Sequence, residues 1–181
     1  MKYKYIACAL LAALSATSAQ ANEQHGWVYN GLTGLASVSE DQLDDRSFGS
    51  NSSIGYRWGV VGVEVGYASF GKFKDSLMLG ATSVSVDSQV DGWNAGVNFN
   101  HDLNAKWSLQ ARVGMFGWNA DGHVGDGSTR IATSDSGNDW YAGASIDYSL
   151  RKRSSIGLGY TRFKLDDAAV NLVGMHSEFR F

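Results

Sequence analysis

Apolar side chains alternate with small or polar ones at every second position through most of this chain. In residues 91–100, apolar residues share one face, and glycine and asparagine occupy the other. Alternation of this period is typical of a β-strand whose two faces meet different environments. The chain contains no proline, so no residue type in it interrupts a ladder of backbone hydrogen bonds. The sequence therefore predicts an all-β protein.

The same alternation recurs along the chain in eight segments, which we interpret as eight antiparallel strands. The first of them is ambiguous in phase, and the others show clear inward and outward faces. The segments are 26–38, 53–59, 61–70, 91–100, 108–118, 139–150, 155–163 and a last strand that ends at Phe181. An even number lets the last strand pair with the first and leaves no sheet edge, as hydrocarbon requires.

The connections between these segments alternate in length. Short turns are predicted at 59–60, 101–106 and 150–155, and long polar loops at 39–52, 71–88 and 121–138; the connection at 164–169 is shorter. Short turns at one end and long loops at the other are typical of an outer membrane barrel. The sequence therefore predicts an eight-stranded antiparallel up-and-down transmembrane β-barrel with long extracellular loops.

A soluble secreted barrel with its apolar face turned inward is the rival interpretation. Three features favour lipid: the opposite face is mostly Gly, Asn, Ser and ionised groups; the final residue lies on the apolar face; and aromatic residues occupy the ends of that face, as in a membrane girdle. Those aromatic residues are Trp58, Trp93, Phe99, Trp140, Tyr148, Tyr160 and Phe181.

Residues 1–21 read as a secretory signal peptide. Lys2 and Lys4 precede the apolar run Ile6–Leu14, and Ala19-Gln20-Ala21 is a small-x-small cleavage site. The run is far shorter than the ~20 residues of a membrane-spanning helix. The only cysteine lies inside this segment, so the mature barrel domain, 22–181, needs no disulfide.

The charge balance bears on partners. Cleavage changes the net charge from −3 to −5, because two lysines leave and no acid does. This balance argues against nucleic acid as a partner. We expect export through the periplasm to the outer membrane of a Gram-negative bacterium, with membrane lipids and lipopolysaccharide as the surroundings.

The segment "GYRWGVVGVEVGYASFG", residues 55–71, resembles strands 2 and 3 of the OmpA-type transmembrane domain. "QARVGMFGWNAD" and "YAGASIDYSL" resemble the fifth and sixth strands of that family, and "HSEFRF" its last strand. The resemblance covers nearly all of 26–181 and implies a small, OmpX-like or opacity-type barrel without the peptidoglycan-binding domain. It also implies that Phe179 and Phe181 form the C-terminal signal read by the outer-membrane assembly machinery.

By the predicted phases, the lumen carries three cations and three acids. They are Arg57, Arg112, Arg180, Glu64, Asp147 and Glu178. An eight-stranded barrel is filled by side chains, and buried ions must be paired. We therefore predict an interior salt-bridge network that crosses the lumen.

Two interpretations of this network stay open: a static plug, and a small pore gated by the interior charges. The resemblance places Glu64, Arg112 and Asp147 at positions that match the interior charges of the OmpA family, where a switch of partners has been proposed to open a pore. Gly96 and Gly157 stand where two family cations are found, which argues against a family-like gate. An interior His176 has two interpretations as well. It either makes conduction sensitive to pH or is simply an interior polar group whose hydrogen bonds are satisfied.

Other signals are weaker. No serine, histidine and acid share a recognisable spacing, and in a strand the neighbours His176 and Ser177 face opposite sides, so we predict no catalytic residues, no cofactor and no metal. A lipid A-modifying enzyme is the third alternative.

Arg162 and Lys164 lie where a strand leaves the membrane on the long-loop side, and we expect them to contact lipopolysaccharide phosphates. The predicted role is envelope integrity or surface interaction, such as adhesion or defence, with an extracellular ligand that the sequence does not identify.

Overall fold

The computed structural model describes residues 25–38, 46–79, 82–125, 130–166 and 168–181, with side chains except at 72–88 and 123–133. The predicted signal peptide lies outside these residues. Eight strands account for almost all of the described chain. They are β1 His25–Val38, β2 Arg46–Trp58, β3 Val61–Leu79, β4 Thr82–Asp102, β5 Trp107–Gly125, β6 Arg130–Arg151, β7 Ser154–Leu165 and β8 Ala168–Arg180. Among the described residues, no helix is long and apolar enough to cross a membrane.

Each strand pairs antiparallel with its sequence neighbours, and β8 pairs with β1 to close the barrel. In the closing ladder Val28 lies opposite Arg180, and Val38 lies opposite Val170. The predicted eight-stranded antiparallel barrel is confirmed. Closure satisfies the backbone groups that a free edge would leave unpaired in lipid.

The outward face is apolar along the barrel wall. On β3, Val63, Val65 and Tyr67 are exposed, while Glu64 between them is buried. The first strand, whose phase the sequence left open, turns Val28 and Asn30 into the lumen and Tyr29 outward. An apolar outer wall around buried polar residues such as Asn30 and Glu64 is the arrangement of a barrel surrounded by lipid.

Aromatic residues form bands near both ends of the apolar wall. Near the short turns, Trp107 packs edge-on against Tyr148, with ring centroids 5.2 Å apart. Towards the other end, Tyr67 and Trp93 form a second edge-on pair at 5.2 Å. These pairs lie where aromatic side chains meet the two interfaces of a bilayer.

The short turns are placed as the sequence predicts, but the prediction of long loops at 71–88 and 121–138 is wrong. Most of these residues continue the strands: β3 pairs with β4 as far as Leu79 opposite Thr82, and β5 pairs with β6 as far as Gly125 opposite Arg130. The serine–valine alternation of 83–86 supplies a strand pattern that the surrounding polar residues obscured. Residues 39–45 of the first predicted loop lie outside the described residues, and β2 already begins at Arg46.

Strands β3 to β6 consequently extend beyond the rest of the barrel. Pairing of β3 with β2 ends at Phe70, and pairing of β6 with β7 ends at Tyr141. From Phe70 to Leu79, β3 continues for roughly 30 Å at about 3.4 Å per residue. We call the part of β3–β6 beyond these two positions the projecting sheet.

Candidate functional site: the filled lumen

Six ionisable groups meet in the half of the lumen nearest the short turns. We call them the ionic layer: Arg57, Glu64, Arg112, Asp147, His176 and Glu178. All are at most 5% exposed, since each lies at an inward position of its strand. Arg180, the remaining predicted member, lies at the rim with its side chain 25% exposed.

A bidentate ion pair of the ionic layer joins β2 to β8. Arg57 donates from both terminal nitrogens to Glu178, at 3.0 Å to Oε1 and 2.7 Å to Oε2. Arg180 adds a bond of 2.7 Å from Nε to Oε1, and Gln110 donates to Oε2 at 3.0 Å. Glu178 therefore accepts four hydrogen bonds, two of them in the bidentate geometry that fixes orientation.

Glu64, on the far side of the layer, is held mainly by neutral donors. The Tyr141 hydroxyl donates to Oε1 at 2.9 Å, and the Asn98 amide donates to Oε2 at 3.1 Å. The nearest cation is Arg112, whose Nη1 lies 4.0 Å from Oε1 and has no hydrogen-bond acceptor among the described residues. The Ser53 hydroxyl adds a longer bond of 3.5 Å to Oε2, so the carboxylate of Glu64 is held by a phenol, an amide and a hydroxyl, with Arg112 as its counter-ion.

His176 links Arg112 to Asp147. The imidazole Nδ1 lies 2.6 Å from Asp147 Oδ1, and its Nε2 lies 3.1 Å from Arg112 Nη2. A guanidinium only donates, so Nε2 must accept and the ring proton must be on Nδ1, where it is donated to Asp147. Asp147 also accepts from the Ser145 hydroxyl at 2.8 Å.

Two glycines provide the space for these contacts. A Cβ on Gly96 would lie 2.6 Å from the Tyr141 hydroxyl, and one on Gly157 would lie 2.6 Å from Asp147 Oδ1. These are the positions at which the OmpA resemblance leads one to look for cations. In this chain the Tyr141 hydroxyl lies in the space beside Gly96, and Asp147 lies in the space beside Gly157. The interior carboxylates of this chain therefore have partners that differ from the cations implied by the resemblance.

Above the ionic layer the lumen is largely apolar, whereas the sequence indicated an inward face mostly of Gly, Asn, Ser and ionised groups. Phe70, Phe116 and Phe163 are fully buried; the centroid of Phe163 lies 5.1 Å from that of Phe70 and 4.9 Å from that of Phe116. The ring of Tyr141 stacks on Phe163 at 5.7 Å. We call these four residues the aromatic layer. Leu32 and Leu172 belong to the same buried apolar core.

The remaining predicted residues lie on the outer wall. Phe179 and Phe181 face outward and are 47% and 71% exposed. Arg162 and Lys164 also lie on the outward phase of β7, half-buried, near the end of the strand. Arg162 donates to Asn171 Oδ1 at 3.2 Å, and the Lys164 ammonium donates to the Ala168 carbonyl at 3.4 Å. The structure thus does not bring this pair together with the interior groups.

Comparison with known families matches residues 6–181 to the outer membrane protein beta-barrel domain. The chain belongs to this outer membrane β-barrel family. Its location is the bacterial outer membrane, in agreement with the predicted barrel and its resemblance to small outer membrane barrels. No curated protein sequence matches it.

Among solved structures, the chain is similar to several small barrels. Ail, the attachment invasion locus protein of Yersinia pestis, solved with the heparin analogue sucrose octasulfate, is 19% identical with a TM-score of 0.60; the match covers 87% of this chain and 99% of that one. Neisserial surface protein A is 14% identical with a TM-score of 0.59, covering 86% and 97%. OprG from Pseudomonas aeruginosa is 10% identical with a TM-score of 0.57, covering 88% and 98%. At these identities the similarity extends to the fold alone.

Sequence reasoning missed the neutral members of the site. Tyr141, Asn98 and Gln110 all lie on the inward phase that the alternation predicts, and each bonds to an interior carboxylate. Following the inward phases of β3 and β5 beyond Glu64 and Arg112 would also have placed Phe70 and Phe116 in the lumen. Among the described side chains, no group of three or more His, Cys, Asp or Glu is arranged to hold a metal ion.

Proposed function

We propose that this protein is a closed, non-conducting barrel that contributes to envelope integrity and presents the projecting sheet for interaction at the cell surface. The observation that carries this proposal is the extension of β3–β6 beyond the other strands. In bacterial barrels the short turns face the periplasm, so the projecting sheet lies on the extracellular side. A hydrogen-bonded strand backbone is already ordered before it binds, so binding costs less ordering than for a flexible loop.

The filling of the lumen supports a closed barrel over the alternative of a gated pore. The aromatic layer lies across the lumen above the ionic layer, so an exchange of partners among Glu64, Arg112 and His176 leaves the aromatic layer closed. Buried apolar side chains in a narrow lumen oppose the passage of ions. A rearrangement of charges alone is therefore insufficient for conduction.

Planar-bilayer recordings of the refolded protein and of Glu64→Ala test this part of the proposal. We expect no conductance from either protein, with heat-modifiable gel migration as the control that both have folded. Reproducible openings that change in Glu64→Ala would contradict a closed lumen and favour a charge-gated pore.

Shortening the projecting sheet tests the surface role. Deleting 74–87 and 122–133 and joining each hairpin with Asn-Gly keeps the pairs Phe73–Ser88 and Asp121–Ser134 next to the new turns. We expect cells that display this variant to lose binding to cultured epithelial cells. Their resistance to detergent should persist, since the barrel wall is unchanged. Full adhesion by the shortened protein would contradict a role for the sheet.

The charge of the extracellular end bears on the ligand. The segments 39–46, 71–90, 119–139 and 162–167 contain twelve acids and six cations. Ail has been crystallised with a polysulfated sugar, but an excess of carboxylates disfavours such a polyanion here. We therefore propose a ligand with cationic or neutral polar groups.

Contact with lipopolysaccharide is proposed for Arg162 and Lys164. Both lie on the outer wall at the extracellular end of β7, next to the girdle residue Tyr160, and neither has a carboxylate within 4.0 Å among the described residues. Phosphates are strong partners for such cations. Replacing both with Ser should weaken binding of lipopolysaccharide to the refolded protein, and unchanged binding would remove the proposal.

Recognition of Phe179 and Phe181 by the assembly machinery is likewise proposed, supported by their outward placement at the end of the closing strand.

A further inference from the structure

The end of the barrel opposite the projecting sheet carries a cluster of cations that the proposed function does not use. Lys106 lies in the β4–β5 turn, and Arg151, Lys152 and Arg153 lie at the β6–β7 turn; all four side chains are exposed. We call them the basic rim. The Ser149 amide donates to the Lys106 carbonyl at 2.8 Å, so the two turns are neighbours.

The basic rim has little compensating negative charge. Residues 101–106 and 150–153 contain one acid, Asp102. Among the described side chains, no carboxylate lies within 4.0 Å of any of the four cations. This end is positive in a chain whose net charge is −3. The uneven distribution leaves the rim free to attract anions.

Apolar side chains next to the basic rim indicate what kind of anion it meets. Leu103 and Leu150, in or beside the same turns, are 52% and 60% exposed. Trp107, which packs on Tyr148, is 41% exposed directly above them. Exposed leucines beside cations are unfavourable in water. They are favourable at a bilayer interface, where apolar groups enter the acyl region and cations reach the headgroups.

We propose that the basic rim binds the phosphate groups of anionic phospholipids, such as phosphatidylglycerol, in the periplasmic leaflet. Lysine and arginine at the ends of barrel strands reach these phosphates, while Leu103, Leu150 and Trp107 contact the adjoining acyl chains. The same chemistry holds the periplasmic end of the barrel at a fixed depth. The exposed leucines favour lipid over the polysaccharide of the cell wall, which offers them no acyl chains.

Native mass spectrometry of the refolded protein, in micelles with equal phosphatidylglycerol and phosphatidylcholine, tests the proposal. The variant is Lys152→Ser/Arg153→Ser; it keeps the backbone bond of 2.9 Å from the Arg180 amide to the Arg153 carbonyl. The matched control is Lys72→Ser/Lys74→Ser, which removes the same charge from the projecting sheet at the opposite end. Heat-modifiable migration shows that each has folded.

We expect the parent protein to retain more phosphatidylglycerol than phosphatidylcholine. That ratio should fall about fivefold for each cation removed from the basic rim, and should persist in Lys152→Arg/Arg153→Lys. High salt should reduce the preference. An equal fall in the control variant, or no fall in the rim variant, would overturn the proposal. So would co-sedimentation with purified peptidoglycan that depends on the rim while no phosphatidylglycerol preference is seen.

Discussion

The ionic layer and the aromatic layer fill the same lumen with different chemistry. Glu178 and Arg57 are held by directional bonds of 2.7 and 3.0 Å, so each depends on particular partners. Phe70, Phe116 and Phe163 meet through ring contacts of 4.9 to 6.3 Å, which depend on volume rather than on particular atoms. The loss of one ionic residue therefore leaves a charge unpaired, whereas the loss of one ring leaves a void. Each layer can therefore be tested by a substitution that creates its own defect, which is an unpaired charge in the ionic layer and a cavity in the aromatic layer.

The largest effect is expected from Glu178→Ala. Its removal leaves the guanidinium of Arg57 buried without a counter-ion and deprives Gln110 of an acceptor, which should lower the free energy of unfolding by about 3–5 kcal/mol. Urea titration of the barrel in lipid vesicles measures this loss. The control is Asp102→Ala, an exposed acid whose loss should change stability by less than about 0.5 kcal/mol. Similar values for the two variants would mean that the ionic layer is not coupled to folding.

The next largest effect is expected in the aromatic layer. Phe163→Ala removes the ring that contacts Phe70, Phe116 and Tyr141 and should cost about 3 kcal/mol, from lost burial and the residual cavity. The outward-facing Phe48, 65% exposed, provides the matched control Phe48→Ala, for which we expect a clearly smaller loss in the same titration. A larger loss from Phe48→Ala would contradict an apolar core inside the lumen.

His176 tests how directional the ionic layer is. His176→Ala leaves Asp147 without its ring donor and leaves Arg112 Nη2 with only the Gln110 amide oxygen, at 2.8 Å, as acceptor, at a cost of about 2 kcal/mol. His176→Asn places an amide donor near the position of Nδ1 and should recover part of that loss. If both variants unfold at the same urea concentration, the bond from Nδ1 to Asp147 contributes nothing to stability.

The smallest effect is expected from Tyr141→Phe, at the boundary between the layers. The ring of Tyr141 belongs to the aromatic layer, and its hydroxyl donates to Glu64 at 2.9 Å. Removing the hydroxyl keeps the stacking on Phe163 and should cost about 1 kcal/mol. Tyr141→Ala should cost at least as much as Phe163→Ala. A Tyr141→Phe variant as unstable as Tyr141→Ala would mean that the hydroxyl outweighs the ring.

The fold could be predicted from the sequence because alternation and the absence of proline act locally. The strand phases that place Glu64 and Arg112 inward can be read residue by residue. Which interior groups pair could not be predicted, because pairing depends on the register across distant strands. The sequence gives no sign that Asp147 meets His176 from β8 rather than Arg112, or that Glu178 rather than Glu64 binds Arg57. The projecting sheet was missed because its polar, glycine-containing strands resemble loops in composition.

The pairing of β1 with β8 has a consequence for how the chain enters the membrane. Val28 finds its partner only at Arg180, so a barrel inserted before β8 arrives would expose two rows of unpaired backbone groups to hydrocarbon, each costing several kcal/mol. Insertion of an incomplete barrel is therefore disfavoured, and we expect stable insertion into the bilayer only once β8 has paired with β1. Only the complete, closed barrel is stable in lipid, since a chain that lacks the closing strand has no low-energy state within the membrane.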